Sequence, residues 1–193
     1  MKKSALVAFV STLLWTASGY AAEPFTKRQF PLSAHLGYGF GDEQGDLNPY
    51  GFGLGARGGY TFDMGLYLGG VLDVFFGEKD STSVGGLAGG SASASTWLFQ
   101  VEGGYDFGIT RSIVIRPKLG LGPTFEHGKV CVNSIIGGGC RSNNNSEFSF
   151  GFGAEALFDV GDFYVAPELR YNVVTGDADW NAFFMGVGFG TMF

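Results

Sequence analysis

The sequence predicts an all-β protein, an eight-stranded antiparallel up-and-down transmembrane β-barrel, on three observations. First, eight segments alternate between two unlike faces, and a period of two marks a β-strand. Second, one face of each segment carries Phe, Tyr, Trp, Leu or Val, whereas the other carries mostly glycine with a few charges. Third, short and long connections alternate along the chain, as an up-and-down barrel requires.

The first four segments place large residues at almost every second position. Their apolar faces run from Leu32 to Phe40, from Tyr50 to Tyr60, from Leu66 to Phe76 and from Trp97 to Tyr105. The opposite face of the first segment is Ser, His and Gly, and that of the second is Gly and Arg. Each segment has about ten residues, the length that a tilted strand needs to cross a membrane.

The last four segments continue the pattern. Their apolar faces run from Ile113 to Leu121, from Phe148 to Phe158, from Phe163 to Val173 and from Phe183 to Phe193. Pro117 is expected to be a local defect, because proline has no N–H to donate to a sheet ladder.

The connections are predicted to be three tight turns and four longer loops. The turns lie near residues 61–64, 107–112 and 161–162, and the longer loops cover residues 42–49, 77–95, 123–146 and 175–180. The second and third long loops leave room for further short β segments. An even number of strands places both ends of the chain on the same side, with the short turns expected in the periplasm and the longer loops outside.

The large residues are expected to face lipid. An eight-stranded, lipocalin-like soluble barrel would instead need a polar exterior dense in Lys, Glu, Ser and Thr, and the glycine-rich face does not provide one. The other face carries more aromatic volume than an eight-stranded interior can hold. Aromatic residues near the segment ends, Tyr50 among them, are expected to form girdles at the membrane interfaces.

The N-terminus has the features of a secretory signal peptide. Lys2 and Lys3 precede an apolar run, and small residues at Gly19 and Ala21 predict cleavage after Ala21, with Ala22 as the alternative. The expected organisation is therefore a signal peptide over residues 1–21 and one barrel domain over residues 22–193. The acidic mature chain shows no cluster of Lys and Arg, which argues against nucleic acid as a partner.

Two groups of residues are candidates for a structural or functional role. Cys131 and Cys140 are the two cysteines of an exported chain and are predicted to form one disulfide, with two free thiols or a metal-binding pair as the alternative. The inward face carries eight charged residues, namely Arg57, Asp73, Glu102, Arg116, Lys118, Glu155, Glu168 and Arg170. Because buried charge is tolerated only when paired, we expect a salt-bridged interior that fills and rigidifies the barrel; a gated polar path is the alternative.

The alternating last segment closes on an aromatic residue, Phe193, after an export signal. This pattern resembles the small eight-stranded bacterial outer-membrane barrels, such as the OmpA transmembrane domain and the OmpX/Ail group. The resemblance covers about residues 30 to 193. It implies an integral outer-membrane protein, with Phe193 as a signal for the barrel-insertion machinery and with outer-membrane lipids and lipopolysaccharide as neighbours.

Three functions follow as hypotheses. The first is a non-enzymatic barrel without cofactor or metal, whose surface loops serve structural roles or contact a host or cell-surface partner. The second is a porin-like narrow channel for small solutes or apolar ligands. The third is a lipid A-modifying enzyme, for which the candidates would be Glu126, His127, Ser134, Ser142 and Ser146; we expect no enzyme, since the His-x-Ser spacing of the deacylase type is missing after His127.

Overall fold

The computed structural model describes residues 29–41, 48–84, 88–134, 137–175 and 181–193. The strands in these residues are β1 (Pro31–Gly41), β2 (Gly51–Thr61), β3 (Leu66–Val84), β4 (Ala88–Tyr105), β5 (Phe107–Thr110), β6 (Ile113–Ser134), β7 (Gly137–Asp159), β8 (Tyr164–Thr175) and β9 (Asn181–Met192). No helix among the described residues is long and apolar enough to span a membrane. The expected signal peptide lies outside the described residues.

The sheet closes into an eight-stranded antiparallel barrel, which confirms the predicted fold. Strands β1 to β4 pair in sequence order, as do β6 to β9, while β4 pairs with β6 and β9 returns to pair with β1. The short β5 continues β4 beyond Asp106 and pairs with the start of β6, so the two segments make one barrel strand. Closure leaves no unpaired sheet edge within the wall, as a membrane requires.

The side chains alternate between lipid and lumen as the sequence predicts. Every second residue of β1 is exposed, among them Leu32, Leu36 and Phe40, whereas Ser33 and His35 are buried. The chain thus buries polar groups and exposes large apolar ones. This distribution is the reverse of that in a soluble protein and is expected of a barrel surrounded by lipid.

Two predicted loops are β structure, so the loop prediction was wrong for residues 77–84, 88–95, 123–134 and 137–146. β2 pairs with β3 only as far as Phe76, and β8 pairs with β7 only as far as Phe148. Beyond these points four strands continue, and no other described strand pairs with their outer edges. We call these residues, 79–84, 88–95, 126–134 and 137–147, the extension, and we name the barrel ends the extension end and the turn end.

Tyr50 was predicted to face lipid and is instead buried inside the barrel with no exposed surface. The cause is Gly51, which has a φ of 59° and so breaks the strand alternation at the start of β2. Glycine adopts this left-handed conformation at no steric cost. The reversal turns the Tyr50 ring inward, where it packs edge-on against Phe75 with ring centroids 5.2 Å apart.

Prolines interrupt the ladders at three places. The β4–β6 ladder ends just before Tyr105, which would lie opposite Pro117, and it has a two-residue gap at Phe99 and Gln100, where Pro123 lies opposite Phe99. The β7–β8 ladder has a similar gap at Ala156 and Leu157, where Pro167 lies opposite Ala156. A proline cannot donate a backbone hydrogen bond. The defect expected at Pro117 is present, and it lies beside the break between β4 and β5.

Candidate functional site

The middle of the lumen is filled by ion pairs centred on Arg57. Its Nε donates to Oε2 of Glu102 at 2.6 Å, and its Nη1 donates to Oε2 of Glu155 at 2.6 Å. Its Nη2 lies 3.0 Å from both carboxylate oxygens of Glu168. One guanidinium from β2 therefore ties together β4, β7 and β8 across the barrel, in the multidentate geometry for which Arg is suited.

Lys118 is the second cation shared by the same three carboxylates. Its Nζ lies 2.9 Å from Oε1 of Glu168 and 3.2 Å from Oε2 of Glu155. The distance to Oε1 of Glu102 is 3.6 Å. The side chains of this group are at most 5% exposed, so the pairing occurs away from solvent.

Arg116 extends the network toward the turn end. It donates through Nε and Nη2 to the two oxygens of Asp106 at 2.5 and 2.8 Å, and through Nη1 to Glu155 at 2.9 Å. The guanidinium carbon also lies 4.0 Å from the centroid of the Tyr67 ring. Asp106 was missing from the predicted set, although it lies two alternations after Glu102 on the same inward face.

Arg170 and His35 bind opposite oxygens of Asp73 and form the part of the network nearest the extension end. Arg170 Nη2 bonds Oδ2 and the His35 Nε2 contacts Oδ1. The Arg170 guanidinium also lies 5.1 Å from the centroid of the Phe184 ring. In total, the described lumen network has four cations, Arg57, Arg116, Lys118 and Arg170, and five carboxylates, Asp73, Glu102, Asp106, Glu155 and Glu168.

Apolar layers close the network from both sides. Toward the extension end the layer consists of Tyr50, Phe75, Leu98, Ala182 and Phe184. Toward the turn end it consists of Val114, Leu157, Tyr164, Ala166 and Met192. The lumen is therefore a packed, largely closed core rather than an open pore.

The extension carries a row of basic and hydroxyl side chains on its outward face. Lys79 lies opposite Ser93, Ser93 lies opposite Lys129, and Lys129 lies opposite Ser142. Direct partners across a ladder share a face, so the two lysines flank Ser93 at about 10 Å from each other. We call these four residues the basic row. Further along the barrel, toward the membrane, the same face carries the exposed Trp97.

The two cysteines and the terminal aromatic lie at opposite ends of the barrel. Cys131 and Cys140 are direct partners in the β6–β7 ladder, with Cα atoms 4.0 Å apart, and are joined by a disulfide. At the turn end, Phe193 and Phe30 exchange two backbone hydrogen bonds of 3.1 Å. The Phe193 side chain is 68% exposed on the outer surface.

The acid and the histidine considered for catalysis do not meet on one face of the sheet, although Ser142 and Ser146 flank Asn144, the direct partner of His127. Adjacent residues of a strand point to opposite faces, so Glu126 and His127 lie on opposite sides of β6. His127 is exposed and its Nδ1 bonds the Asn144 side chain. Within the described residues, no group of three or more His, Cys, Asp or Glu side chains is arranged to hold a metal ion.

Comparisons with known proteins agree with this geometry. Residues 7–193 match the sequence profile of the family described as the outer membrane protein beta-barrel domain. Among solved structures, the chain is similar to Ail, the attachment invasion locus protein of Yersinia pestis, with 19% identity and a TM-score of 0.53 over 86% of this chain and 99% of that one. A comparison with curated proteins gives no significant match.

Two further structures show the same fold. Neisserial surface protein A has 15% identity and a TM-score of 0.54, with 85% of this chain and 97% of that one covered. A major outer membrane protein of Thermus thermophilus has 8% identity and a TM-score of 0.58, with 84% and 98% covered. The chain therefore belongs to the outer membrane protein beta-barrel domain family and is an integral β-barrel protein of the bacterial outer membrane.

Proposed function

We propose that this protein is a closed, non-enzymatic membrane anchor that presents its extension as a contact surface outside the cell. The observation that carries the proposal is the filled lumen: Arg57 and Lys118 bind the same three carboxylates, and an apolar layer lies on each side of them. A barrel without a path for solutes acts through its outer surface. Functional variation in such a scaffold concentrates on the parts that project from it.

The absence of enzymatic activity rests on the arrangement around His127. A nucleophile–base–orienter set needs an acid within hydrogen-bond reach of the histidine. Glu126 points to the opposite side of the strand, and the His127 Nδ1 is engaged by Asn144. Ser142 and Ser146 lie two residues to either side of Asn144 on the face of His127, so the group that the arrangement lacks is the acid. The test is that His127→Ala leaves the lipid A of expressing cells unchanged.

Single-channel conductance of the refolded mature chain in a planar bilayer tests the closed lumen. We expect silence or rare brief openings, because an ion would have to displace Arg57 from three carboxylates. Steady openings in the wild-type protein would contradict the proposal and would favour the porin-like channel. A variant that removes the central cation, Arg57→Ala, serves as the positive comparison and is expected to conduct more often than the wild type.

The basic row suggests which chemistry the extension meets. It lies on the lipid-side face beyond Trp97, the position at which phosphate groups of lipopolysaccharide project from the outer leaflet. One similar structure is Ail in complex with the heparin analogue sucrose octasulfate, a polyanion. We propose that Lys79 and Lys129 contact anionic groups of lipopolysaccharide, and that a host or cell-surface partner with anionic groups would use the same row.

Lipopolysaccharide binding to the barrel in nanodiscs tests this contact. Each lysine near an anionic surface contributes about 1 kcal/mol, so the variant K79A/K129A should bind roughly thirtyfold more weakly. The matched control is Arg111→Ala, which removes an exposed cation at the turn end. Equal affinity of K79A/K129A and the wild type would contradict the contact.

The two ends of the chain are proposed to direct its export and its insertion into the outer membrane. We propose that residues 1–21 are removed on export and that residues 22–193 form the barrel domain. The mass of the protein purified from outer membranes should correspond to a chain that begins at Ala22, or at Glu23 if cleavage follows Ala22. We further propose that Phe193 is the signal that the barrel-insertion machinery reads.

A further inference from the structure

Two glutamates lie diagonally across the β6–β7 ladder on the lumen side of the barrel, at the extension end and outside the charge network. Thr124 of β6 lies directly opposite Glu147 of β7, and Glu126 follows two residues later on the same face. Diagonal neighbours of this kind are about 7 Å apart, within reach of long side chains. In each glutamate one carboxylate oxygen, Oε1 of Glu126 and Oε2 of Glu147, is buried without a hydrogen-bond partner.

In the part of the chain that the structure describes, no cation neutralises this pair. Among the described residues, no Lys, Arg or His nitrogen lies within ion-pair distance of Glu126 or Glu147, because the lumen cations bind other carboxylates. The internal segments 42–47, 85–87, 135–136 and 176–180 contain no Lys, Arg or His. Two like charges that are partly removed from water and lack a counter-charge are unfavourable.

Two hydroxyl groups complete the set of unsatisfied oxygens. Tyr50 and Thr124 have no exposed surface, and their hydroxyl oxygens have no hydrogen-bond partner. Thr124 shares the face and the ladder position of Glu147. The Tyr50 hydroxyl is close enough to interact electrostatically with both Glu126 and Glu147. Buried polar groups are normally satisfied, so a cluster of four such oxygens indicates a missing partner.

The titration of Glu126 agrees with this reading. Burial and the charge of Glu147 raise the pKa of Glu126 to about 7, with burial the larger cause. A cavity whose lining includes Pro49, Glu126, Asn143 and Asn145 borders the pair on one side.

We propose that Glu126 and Glu147, with the hydroxyl oxygens of Tyr50 and Thr124, bind a hard divalent cation at the mouth of the barrel, and that this cation is Ca²⁺. All four groups offer oxygen, which is the ligand type that Ca²⁺ takes, and two carboxylates match its charge. Ca²⁺ tolerates the irregular geometry of two strands and a ring hydroxyl better than Mg²⁺, which demands near-ideal octahedral sites. This site goes beyond the proposed function, because neither the closed lumen nor the basic row requires it.

Calcium titration of the refolded barrel in detergent micelles tests the site. We expect saturable binding by calorimetry with a Kd of about 1 mM or tighter, the range of extracellular calcium modules. Binding should also raise the thermal unfolding temperature. The variants E126Q and E147Q should each bind Ca²⁺ about tenfold more weakly or not at all, and Tyr50→Phe should bind a few-fold more weakly.

Glu78→Gln is the matched control, since Glu78 is an exposed glutamate at the same end of the barrel. It should bind Ca²⁺ like the wild type. The two glutamine variants keep the side-chain shape and remove charge repulsion, so both should fold. Folding is verified by a gel on which unheated samples migrate differently from heated ones. The site is overturned if the wild type shows no saturable binding, if E126Q and E147Q bind like the wild type, or if only acidification stabilises the protein, which would indicate a shared proton.

Discussion

Glu155 and Glu168 are direct partners in the β7–β8 ladder, and both accept hydrogen bonds from the guanidinium of Arg57. Like charges placed opposite each other destabilise a sheet. Here the two carboxylates are held together by a cation from the opposite wall, and Lys118 binds both as well. The β7–β8 ladder is thus stable because of residues that belong to other strands.

Removal of the central guanidinium should therefore be costly. Arg57→Ala leaves three buried carboxylates with a single lysine, and breaking a buried pair in this way costs about 3–5 kcal/mol. We expect this loss in the free energy of unfolding, measured by denaturant titration of the barrel in lipid vesicles. Arg111→Ala, in an exposed turn, should stay within about 0.5 kcal/mol of the wild type. The double variant R57M/E168Q should recover part of the loss, and a mild effect of Arg57→Ala would contradict the network's structural role.

Gly55 is required because the side chains of Asp73 and His35 lie directly against its backbone. A Cβ at Gly55 would overlap the Asp73 carboxylate and the His35 ring, whereas a Cβ at Gly128 meets no atom within 4 Å. We expect Gly55→Ala to lower the free energy of unfolding by about 1–3 kcal/mol, as overpacking does. Gly128→Ala, also in a β-strand, is the control and should be nearly neutral. Equal stability of the two variants would show that the lumen relaxes around the added methyl.

The stability of the calcium-free barrel should fall as the pH rises toward neutrality. The pKa of Glu126 is raised from its ordinary 4.5 to about 7. Between these two values the folded state binds more protons than the unfolded state, so the free energy of unfolding decreases with increasing pH. The contribution of Glu126 is isolated by comparing the free energies of unfolding of the wild type and of E126Q. Both are measured in the presence of EDTA across the pH range between these two values. The wild type should lose stability relative to E126Q across this window, and parallel curves would contradict the shifted pKa.

The disulfide should stabilise the extension without affecting the barrel wall. Cys131 and Cys140 join strands that are already paired and that lie beyond the last partner of β7 in β8. In C131S/C140S we expect faster amide exchange in the extension, corresponding to about 2–3 kcal/mol of lost protection. Amides of β1 and β9 should exchange as in the wild type. A uniform loss of protection in both regions would show that the extension and the wall unfold together.

Phe193 should matter for assembly more than for stability. Its backbone bonds to Phe30 persist in Phe193→Ala, and its exposed ring contributes about 1 kcal/mol at most to the folded state. We expect several-fold less folded protein in the outer membrane of cells, with little change in unfolding of the refolded protein. Phe163→Ala removes another exposed aromatic at the turn end and serves as the control. Equal assembly of both variants would argue against an insertion signal.

The eight-stranded wall is visible in the sequence because lipid and lumen impose opposite residue types on alternating positions. The extension was missed because its strands are rich in Gly, Ser, Ala and Asn, which have low β propensity. They are β structure because the β4–β6 and β6–β7 ladders continue their register beyond the membrane. Tyr50 was misplaced because the alternation that assigned it ends at Gly51, whose positive φ no periodicity reveals.

The inward charges could be chosen from the sequence, but not their partners. Arg57 and Glu168 are 111 residues apart and meet across the lumen, where neighbours depend on how the sheet closes and staggers. Asp106 was left out although the alternation placed it inward, and it is the residue that binds Arg116 most extensively. The unsatisfied oxygens around Glu126 could be found only once burial was known.

The pairing of β1 with β9 has a consequence for how the protein is made. The first and last strands of the wall border each other, so no contiguous part of the chain forms a closed unit before β9 arrives. In lipid, an incomplete wall would leave two strand edges with unpaired backbone groups, and each unpaired group would cost several kcal/mol. We therefore expect insertion to be completed only after the last strand has been synthesised, and a chain that stops after β8 to be degraded rather than to persist as a smaller barrel.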